Sequence, residues 1–302
     1  MSDLLLNRLI KNPFVYHYTS LETLFAILEE YRQNKEKEKL SLKASCIYNV
    51  NDLREMDLGF NVIKRHLPDF EKKASRNMHL SDVYKSESDE KKCIEKCNIK
   101  PEDGMIDQGM IPYVLSFSCT EDFLPMWSMY GNDKKGVCLK FNTLELVDSV
   151  GGSGQYDFVS YDEEDNYIFN EHFQELYKYT ADHIATEELT IEGKIDELSL
   201  LCECISPFIK SKDWAYEKEF RIIYHHKYGK VLNEENFKEL LFLNKKEQIK
   251  PYLFLLIKAC SLDSIIIGPL SNFKSIEHVV RNELKECMLN NVMVLPSSIR
   301  VR

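Results

Sequence analysis

The chain has 302 residues, which is enough for one large domain or two ordinary ones with a substantial core. Hydrophobic residues make up 44% and charged residues 29% of it, a composition that excludes a largely disordered protein. The formal net charge of −10 argues against sequence-independent binding to nucleic acids, because such binding needs a basic face.

Targeting signals and cysteine usage point to a cytoplasmic protein. The N-terminal stretch MSDLLLNRLIKN has too short an apolar run for a signal peptide, and PYLFLLIKAC is too short to span a bilayer. Nine cysteines without a secretory signal indicate reduced thiols. Because paired CxxC motifs are missing, we expect no structural metal, and we expect no membrane association.

The stretch FVYHYTSLETLF, residues 14–25, predicts a short strand followed directly by a helix. Thr19 and Glu22 have the spacing of a capping box at the helix start. His17 therefore lies at the carboxyl end of a strand, where ligands often bind in α/β structures. The alternative is a buried histidine with one backbone partner.

The next segments alternate between predicted core and predicted periphery. KLSLKAS, residues 39–45, predicts a strand, and residues 53–67 predict a helix. Residues 68–107 are charged and poor in large apolar residues, so we expect a helical hairpin or mobile insertion outside the core. The core resumes with the predicted strand IPYVLSFSCT, residues 111–120.

Short elements then follow in close succession. DFLPMWSMYG predicts a short helix that ends at Gly131, and GVCLKFN and YDFVSYD predict strands. Residues 166–212 are predicted to be mainly helical, and WAYEKEFRIIYHH, residues 214–226, predicts a strand. A strand at SLDSIIIGP, a helix from about Lys274 to Asn290 and a strand at VMVLPSS complete the chain.

This element order predicts an α+β fold in a single domain covering residues 1–302. Its centre would be a mixed β core, with helical or mobile insertions at about residues 60–110 and 166–212. We find no internal repeat and no Pro/Ser-rich linker that would divide the chain.

The most informative polar pattern lies in WAYEKEFRII. In an extended strand Glu217, Glu219 and Arg221 occupy alternate positions and share one face. Two neighbouring carboxylates repel, so one keeps its proton longer unless Arg221 or a ligand compensates. The alternative is that these residues form the solvated polar face of a half-buried strand.

Two further pairs of side chains are candidates for a binding site. Ser116 and Ser118 share a face of their predicted strand, although no Gly-rich elbow marks either as a hydrolase nucleophile. Their alternative role is ordinary hydrogen bonding to neighbouring backbone. Trp127 and Tyr130, three residues apart on a helix, can stack on a flat ring, although such pairs are commonly core residues.

Five motifs together resemble an uncharacterised bacterial family, domain-of-unknown-function family 2971. They are YHYTS, NVNDLREMD, LSFSCTEDFLPMWSMYG…KGVCLKFN, WAYEKEFRII and IIIGP, in this order. The resemblance extends from about residue 14 to residue 270, and the two middle motifs are its most specific parts.

The sequence also resembles the ADP-ribosyltransferases, which carry a first-strand His or Arg, a later Ser-x-Ser-like strand and a final Glu-x-Glu. His17, Ser116–Ser118 and Glu217–Glu219 follow this order. The resemblance implies a split sheet, NAD as substrate and His17 on a ribose hydroxyl. It also implies that Glu219 stabilises the sugar cation while Glu217 orients the acceptor.

The same resemblance assigns the remaining binding residues. Ser116 or Ser118 would hold the nicotinamide pocket together, and an aromatic ring such as Tyr130 would stack on nicotinamide. We include Tyr18, Trp127 and Arg221 in the NAD-binding set.

Several functions remain open from the sequence. The leading hypothesis is an ADP-ribosyltransferase, a toxin-like or anti-phage effector whose acceptor is a protein, a nucleic acid or a small molecule. An NAD glycohydrolase would use the same pocket with water as acceptor. A non-catalytic module would bind a nucleotide or a partner protein through the cleft, whereas a nuclease is poorly supported because no dispersed metal-binding pattern occurs.

Overall fold

The structure is a computed structural model, and it describes residues 3–33, 38–49, 55–73, 78–97, 110–151, 154–161, 173–183, 189–227, 237–245 and 248–300. Among the described residues the strands are β1 (Phe14–Thr19), β2 (Lys39–Cys46), β3 (Met110–Ser118), β4 (Val137–Asn142), β5 (Gly154–Phe158), β6 (Glu219–Lys227), β7 (Phe237–Lys245), β8 (Gln248–Lys258), β9 (Leu262–Ile267) and β10 (Met293–Pro296). The helices are α1 (Asp3–Lys11), α2 (Leu21–Gln33), α3 (Glu55–Lys73), α4 (Glu87–Cys97), α5 (Leu124–Met129), α6 (Thr143–Asp148), α7 (Gln174–His183), α8 (Ile191–Ile205) and α9 (Phe273–Glu286).

The described strands form one mixed sheet with the order β10-β9-β4-β1-β3-β2-β8-β7, and β6 and β5 continue from β3. Strand β6 pairs with β3 along its whole length. Both β1 and β2 also pair with β3, through Tyr16 with Ser118 and through Ser45 with Val114. Because a strand has only two edges, β1 and β2 share the second edge of β3, and the sheet forks between them.

One face of the sheet packs against helices. Leu115 and Phe117 of β3 and Phe220 and Ile222 of β6 point to this face and join the largest hydrophobic cluster. Helices α1, α2, α6 and α9 contribute to the same cluster. Alternate strand residues must therefore point to the opposite face, and those include the polar residues of interest.

The opposite face is covered in two separate places. At the middle of β3 and β6, Val114 and Ile223 pack against α3, α4, α7 and α8. On β1, β4 and β9 a smaller cluster packs against α5, through Met126 and Trp127. The fork of the sheet lies between these two helical covers.

The fold confirms the predicted α+β class, in which a mixed sheet packs with helices. The last strand–helix–strand unit is also as predicted, since β9 and β10 are parallel and α9 joins them. Strands β7 and β8 were not predicted. No helix in the described ranges is both long enough and apolar enough to cross a membrane.

The prediction that residues 68–107 lie outside the core is wrong for the part that is described. Leu80, Val83 and Cys93 are fully buried and pack with α3 and α8 against the sheet. No strong hydrophobic periodicity is visible there because few, widely spaced apolar residues make this contact. Residues 98–109 fall outside the described residues.

Candidate active site at the fork of the sheet

A cleft of about 270 Å³ opens at the fork, on the face that carries the polar residues of β3 and β6. It collects side chains from β1, β2, β3, the end of α5 and the segment that enters β6. The sequence-predicted residues that line it are His17, Tyr18, Ser116, Ser118, Tyr130, Glu217, Glu219 and Arg221. Segments distant in sequence therefore meet as the predicted site requires.

The two glutamates reach the cleft by a turn, not by a continuous strand. Glu217 ends the 3₁₀ helix Lys212–Glu217, and β6 begins only at Glu219. Between them Lys218 has a left-handed backbone, with φ of 44°. The prediction of one extended strand over residues 214–226 is therefore wrong in its first five residues.

Both carboxylates are nevertheless on the same side of this turn, and both are buried. Glu217 is 2% exposed and Glu219 is 6% exposed. The alternative of a solvated polar strand face is therefore wrong. Burying two carboxylates side by side is costly unless cations and hydrogen-bond donors accompany them.

Arg221 and Lys210 supply those cations for Glu219. Arg221 Nη2 lies 2.9 Å and Lys210 Nζ 3.4 Å from Glu219 Oε2, and the Ser116 hydroxyl also bonds this carboxylate. Burial alone would raise the pKa of Glu219. The charges of Arg221 and Lys210, with these hydrogen bonds, outweigh burial and lower the pKa to about 2.

Glu217 is held by a different set of donors. Its Oε1 accepts a hydrogen bond of 2.5 Å from the Tyr130 hydroxyl, and its Oε2 lies 2.6 Å from Lys210 Nζ. Its backbone carbonyl accepts the Ser118 hydroxyl at 2.7 Å. Tyr130 thus reaches across the cleft from the end of α5 to the segment before β6.

His17 occupies the place where β1 and β2 separate. Its Nδ1 lies 3.0 Å from the carbonyl oxygen of Ser116. A carbonyl can only accept, so Nδ1 donates, and the neutral ring keeps an acceptor at Nε2. Burial lowers the pKa of His17, which favours this neutral form. His17 therefore has the single backbone partner of the structural alternative and also lines the cleft.

Ser118 and Tyr18 brace the loop that joins β3 to α5. Ser118 Oγ accepts from the Thr120 amide at 3.1 Å. The Tyr18 hydroxyl donates to the Thr120 carbonyl and accepts from the Phe123 amide, both at 3.0 Å. These contacts fix one wall of the cleft, and they occupy the polar atoms of both side chains.

Trp127 does not lie in the cleft, and its assignment to the NAD-binding set is corrected. Its side chain is fully buried, its Nε1 donates to Asp122 at 2.7 Å, and the Tyr18 ring packs edge-on against it. The short helix α5 packs on the sheet, so some of its side chains face the sheet and others face the cleft. Tyr130, at the end of α5, lines the cleft. Trp127 is a core residue beneath it.

Several lining residues had no sequence signal. Lys210 follows the helical segment as one of several polar residues, and nothing in its spacing distinguishes it. Lys43 and Ser45 of β2 also line the cleft, and Lys43 Nζ lies 3.9 Å from the centre of the Tyr252 ring. A buried position for Lys210 follows only from the tertiary contact with the two glutamates.

The described residues contain no group of three or more His, Cys, Asp or Glu side chains placed to hold a metal ion. All nine cysteines carry free thiols.

Residues 126–222, about a third of the chain, match the family model described as protein of unknown function (DUF2971). This segment contains Tyr130, Lys210, both glutamates and Arg221, and the match supports the expected resemblance to that family over these residues. Comparisons with curated proteins and with solved structures give no match.

Proposed function

We propose that the cleft binds NAD and breaks the bond between nicotinamide and ribose, as an ADP-ribosyltransferase does. The observation that carries this proposal is convergence. His17, Ser116, Tyr130 and Glu219, predicted from three separate motifs, line one cleft at a fork of the sheet.

The charge state of Glu219 supports an electrostatic role. With a pKa lowered to about 2, this carboxylate stays ionised at neutral pH and cannot serve as a proton donor. A fixed negative charge suits a reaction in which positive charge develops on a sugar. Arg221 and Ser116 hold the carboxylate in place, so it does not have to reorganise during the reaction.

The proposed reaction breaks the C1′–N1 bond of NAD. The bonding electron pair leaves with the pyridinium ring, which becomes neutral nicotinamide, and the ribose becomes an oxocarbenium ion beside Glu219. The acceptor then forms a bond to C1′ and loses a proton, for which Glu217 is the nearest second carboxylate. With water as acceptor the same steps give an NAD glycohydrolase.

The size and polarity of the cleft support the placement of the substrate. A volume of about 270 Å³ is slightly below the range of about 300–1,000 Å³ for pockets that enclose whole drug-sized ligands. We therefore place the nicotinamide and its ribose inside and the rest of the dinucleotide outside. His17 Nε2 would accept a hydrogen bond from a ribose hydroxyl, and Tyr130 would pack on the nicotinamide ring.

A second function is favoured by one observation. Both carboxylates pair with cations of the protein itself, as expected of a site that binds a nucleotide without chemistry. If the cleft is catalytic, we propose that the protein is a cytoplasmic toxin-like or antiviral effector. Its acceptor is then a protein, a nucleic acid or a small molecule.

The test measures nicotinamide released from NAD by the wild type and by Glu219→Gln, with and without cell extract as a source of acceptor. We expect release by the wild type and a loss of about 100-fold or more in the variant, with NAD affinity retained within about 10-fold. Release that does not depend on Glu219 would remove this mechanism. NAD binding without any release would favour the binding module.

The matched control is Glu71→Gln. Glu71 is another buried carboxylate, 3% exposed, and it lies in the cover formed by α3, α4, α7 and α8, called the helical cover below. It accepts hydrogen bonds from the Leu80 amide at 2.7 Å and from the Ser81 hydroxyl at 2.6 Å. We expect this variant to lose stability but to keep its rate of nicotinamide release per folded molecule. A similar loss of release in both variants would mean that general destabilisation explains the effect.

A further inference from the structure

Lys210 is the only described lysine that bridges both glutamates of the cleft. Its side chain is 5% exposed, and its backbone amide donates to the Ser160 carbonyl at 2.9 Å. The backbone of the segment before the 3₁₀ helix is thus anchored beside β5. From there the side chain extends into the cleft.

The ammonium group is not placed symmetrically between the carboxylates. Nζ lies 2.6 Å from Glu217 and 3.4 Å from Glu219, and 4.8 Å from the centre of the Trp214 ring. Glu219 has a second cation in Arg221 at 2.9 Å, whereas the other donor that the described residues provide to the Glu217 carboxylate is the neutral Tyr130 hydroxyl. The charge of Lys210 therefore matters more to Glu217 than to Glu219.

We infer that Lys210 is a positioning residue whose ammonium group holds the Glu217 carboxylate for the acceptor step and thereby separates the tasks of the two glutamates. This inference rests on the proposed function. It names a residue that affects transfer of ADP-ribose to the acceptor but not cleavage of the bond between nicotinamide and ribose. Without Lys210, Glu217 would lose the cation that pairs with it in the described part of the chain, whereas Glu219 would keep Arg221. A buried carboxylate that loses its cationic partner favours its protonated form, so the change would fall on Glu217 and not on Glu219.

The consequence is a selective defect. A protonated Glu217 cannot accept a proton from the acceptor, so transfer would fail at neutral pH and return as the pH rises. Glu219 would still face Arg221 and Ser116, so bond cleavage would continue. The titratable or charged groups that line the cleft or lie beside the ammonium group are Tyr16, His17, Tyr18, Lys43, Tyr130, Tyr161, Tyr216, Glu217, Glu219 and Arg221.

The experiment compares Lys210→Met, Lys210→Gln and Lys210→Arg between pH 5 and pH 9. Total nicotinamide release and label transferred from labelled NAD to cell-extract acceptors are measured side by side. In the Met and Gln variants we expect the ratio of transfer to release to fall by about 10-fold or more at pH 6–7 and to recover towards pH 9. Lys210→Arg should keep the wild-type ratio.

The control is Lys194→Met in the helical cover. Lys194 is 6% exposed and pairs with Asp82 Oδ2 at 2.6 Å, so it matches Lys210 in burial and pairing but lies outside the cleft lining. Its loss should lower stability without changing the ratio. An unchanged ratio in Lys210→Gln at every pH, or an equal change in Lys194→Met, would overturn the inference.

A second readout does not depend on turnover. Side-chain ¹³C NMR of glutamate-labelled protein at pH 6 should show one protonated carboxyl group in Lys210→Gln that the wild type lacks. Its absence would overturn the inference whether or not the protein cleaves NAD. Its presence in a protein whose wild type never releases nicotinamide would support the assignment to Glu217 and refute the proposed function.

Discussion

Two desolvated carboxyl groups of this protein, one partly buried and one buried, have their pKa values shifted in opposite directions. Glu203, on α8 in the helical cover, has its pKa raised to about 7 because burial dominates and Lys96 lowers it only partly. Glu219, in the cleft, is also desolvated, but Arg221 and Lys210 lower its pKa to about 2. Burial alone therefore does not mark a functional carboxylate. The cations that accompany it decide its charge at neutral pH.

The same contrast distinguishes the two covered parts of the sheet face from the cleft between them. In the helical cover a buried carboxylate such as Glu71 accepts hydrogen bonds from nearby backbone and hydroxyl groups. In the cleft the partners of Glu219 are two cations and a serine beside an open volume. Glu71 therefore ties together neighbouring segments of the helical cover. Glu219, in contrast, carries its negative charge in the lining of an open cleft.

The largest loss of stability is expected when Trp127, in the core beneath the cleft, is replaced. Trp127→Ala removes a fully buried indole and its hydrogen bond to Asp122, so we expect the free energy of unfolding to fall by about 3–5 kcal/mol. Denaturant unfolding measures this change. Stability close to the wild type, together with loss of NAD binding, would return Trp127 to the binding set and break the contrast.

A smaller loss of stability is expected for Glu219→Gln. The folded pKa of Glu219 is lower than its ordinary value of 4.5, so its ionisation stabilises the fold above pH 4.5, and this contribution disappears as the pH falls towards 2. At pH 7 we expect a loss of about 2–4 kcal/mol, because two cations lose a buried partner. The difference from the wild type should shrink as the pH falls from 4.5. A difference that stays constant with pH would contradict the assigned ionisation.

Glu203→Gln should have the opposite sign. A folded pKa raised from 4.5 to about 7 means that the folded state holds the proton more tightly, so stability falls as the pH rises from 4.5 through 7. The variant should gain about 1–3 kcal/mol at pH 8 and nothing at pH 4. Thermal unfolding at both pH values measures this. A loss of stability at pH 8 would show that the ionised group is favourably paired.

The smallest change in stability is expected for His17→Ala. It leaves the Ser116 carbonyl without its imidazole donor, which should cost about 1 kcal/mol because the ring is only partly buried. NAD affinity should fall at the same time, by about 10-fold, since one hydrogen bond to the ribose is lost. Calorimetric titration beside a melting curve separates the effects. A large melting shift with unchanged affinity would reduce His17 to a structural residue.

Much of the sheet could be predicted because its strands carry side-chain patterns that are visible locally. The strands around Ser116 and Leu139 combine β-branched and aromatic residues, and the Ile-rich strand before α9 is equally clear. Strand β8 was missed because its apolar run, PYLFLLIK, does not alternate. The same run fits a buried strand or a buried helix.

Many of the residues that line the cleft could be predicted from the sequence, but the way the backbone brings them together could not. The alternation in WAYEKEFR fits a continuous strand, and nothing in the sequence shows that Lys218 takes a left-handed conformation between the glutamates. Lys210 could not be found because its significance depends on a contact that forms only in the folded chain. Trp127 and Tyr130 share one helix, and only the packed structure separates the core residue from the cleft residue.

We propose above that the cleft at the fork of the sheet binds the nicotinamide ribose of NAD. The most direct measurement is a crystal structure of the wild-type protein with an NAD analogue whose ribose ring oxygen is replaced by a methylene group, which prevents cleavage. We expect the sugar within hydrogen-bonding distance of Glu219 and the nicotinamide ring against Tyr130, with one analogue bound per chain. An empty cleft at saturating analogue, or an analogue bound elsewhere, would contradict the account.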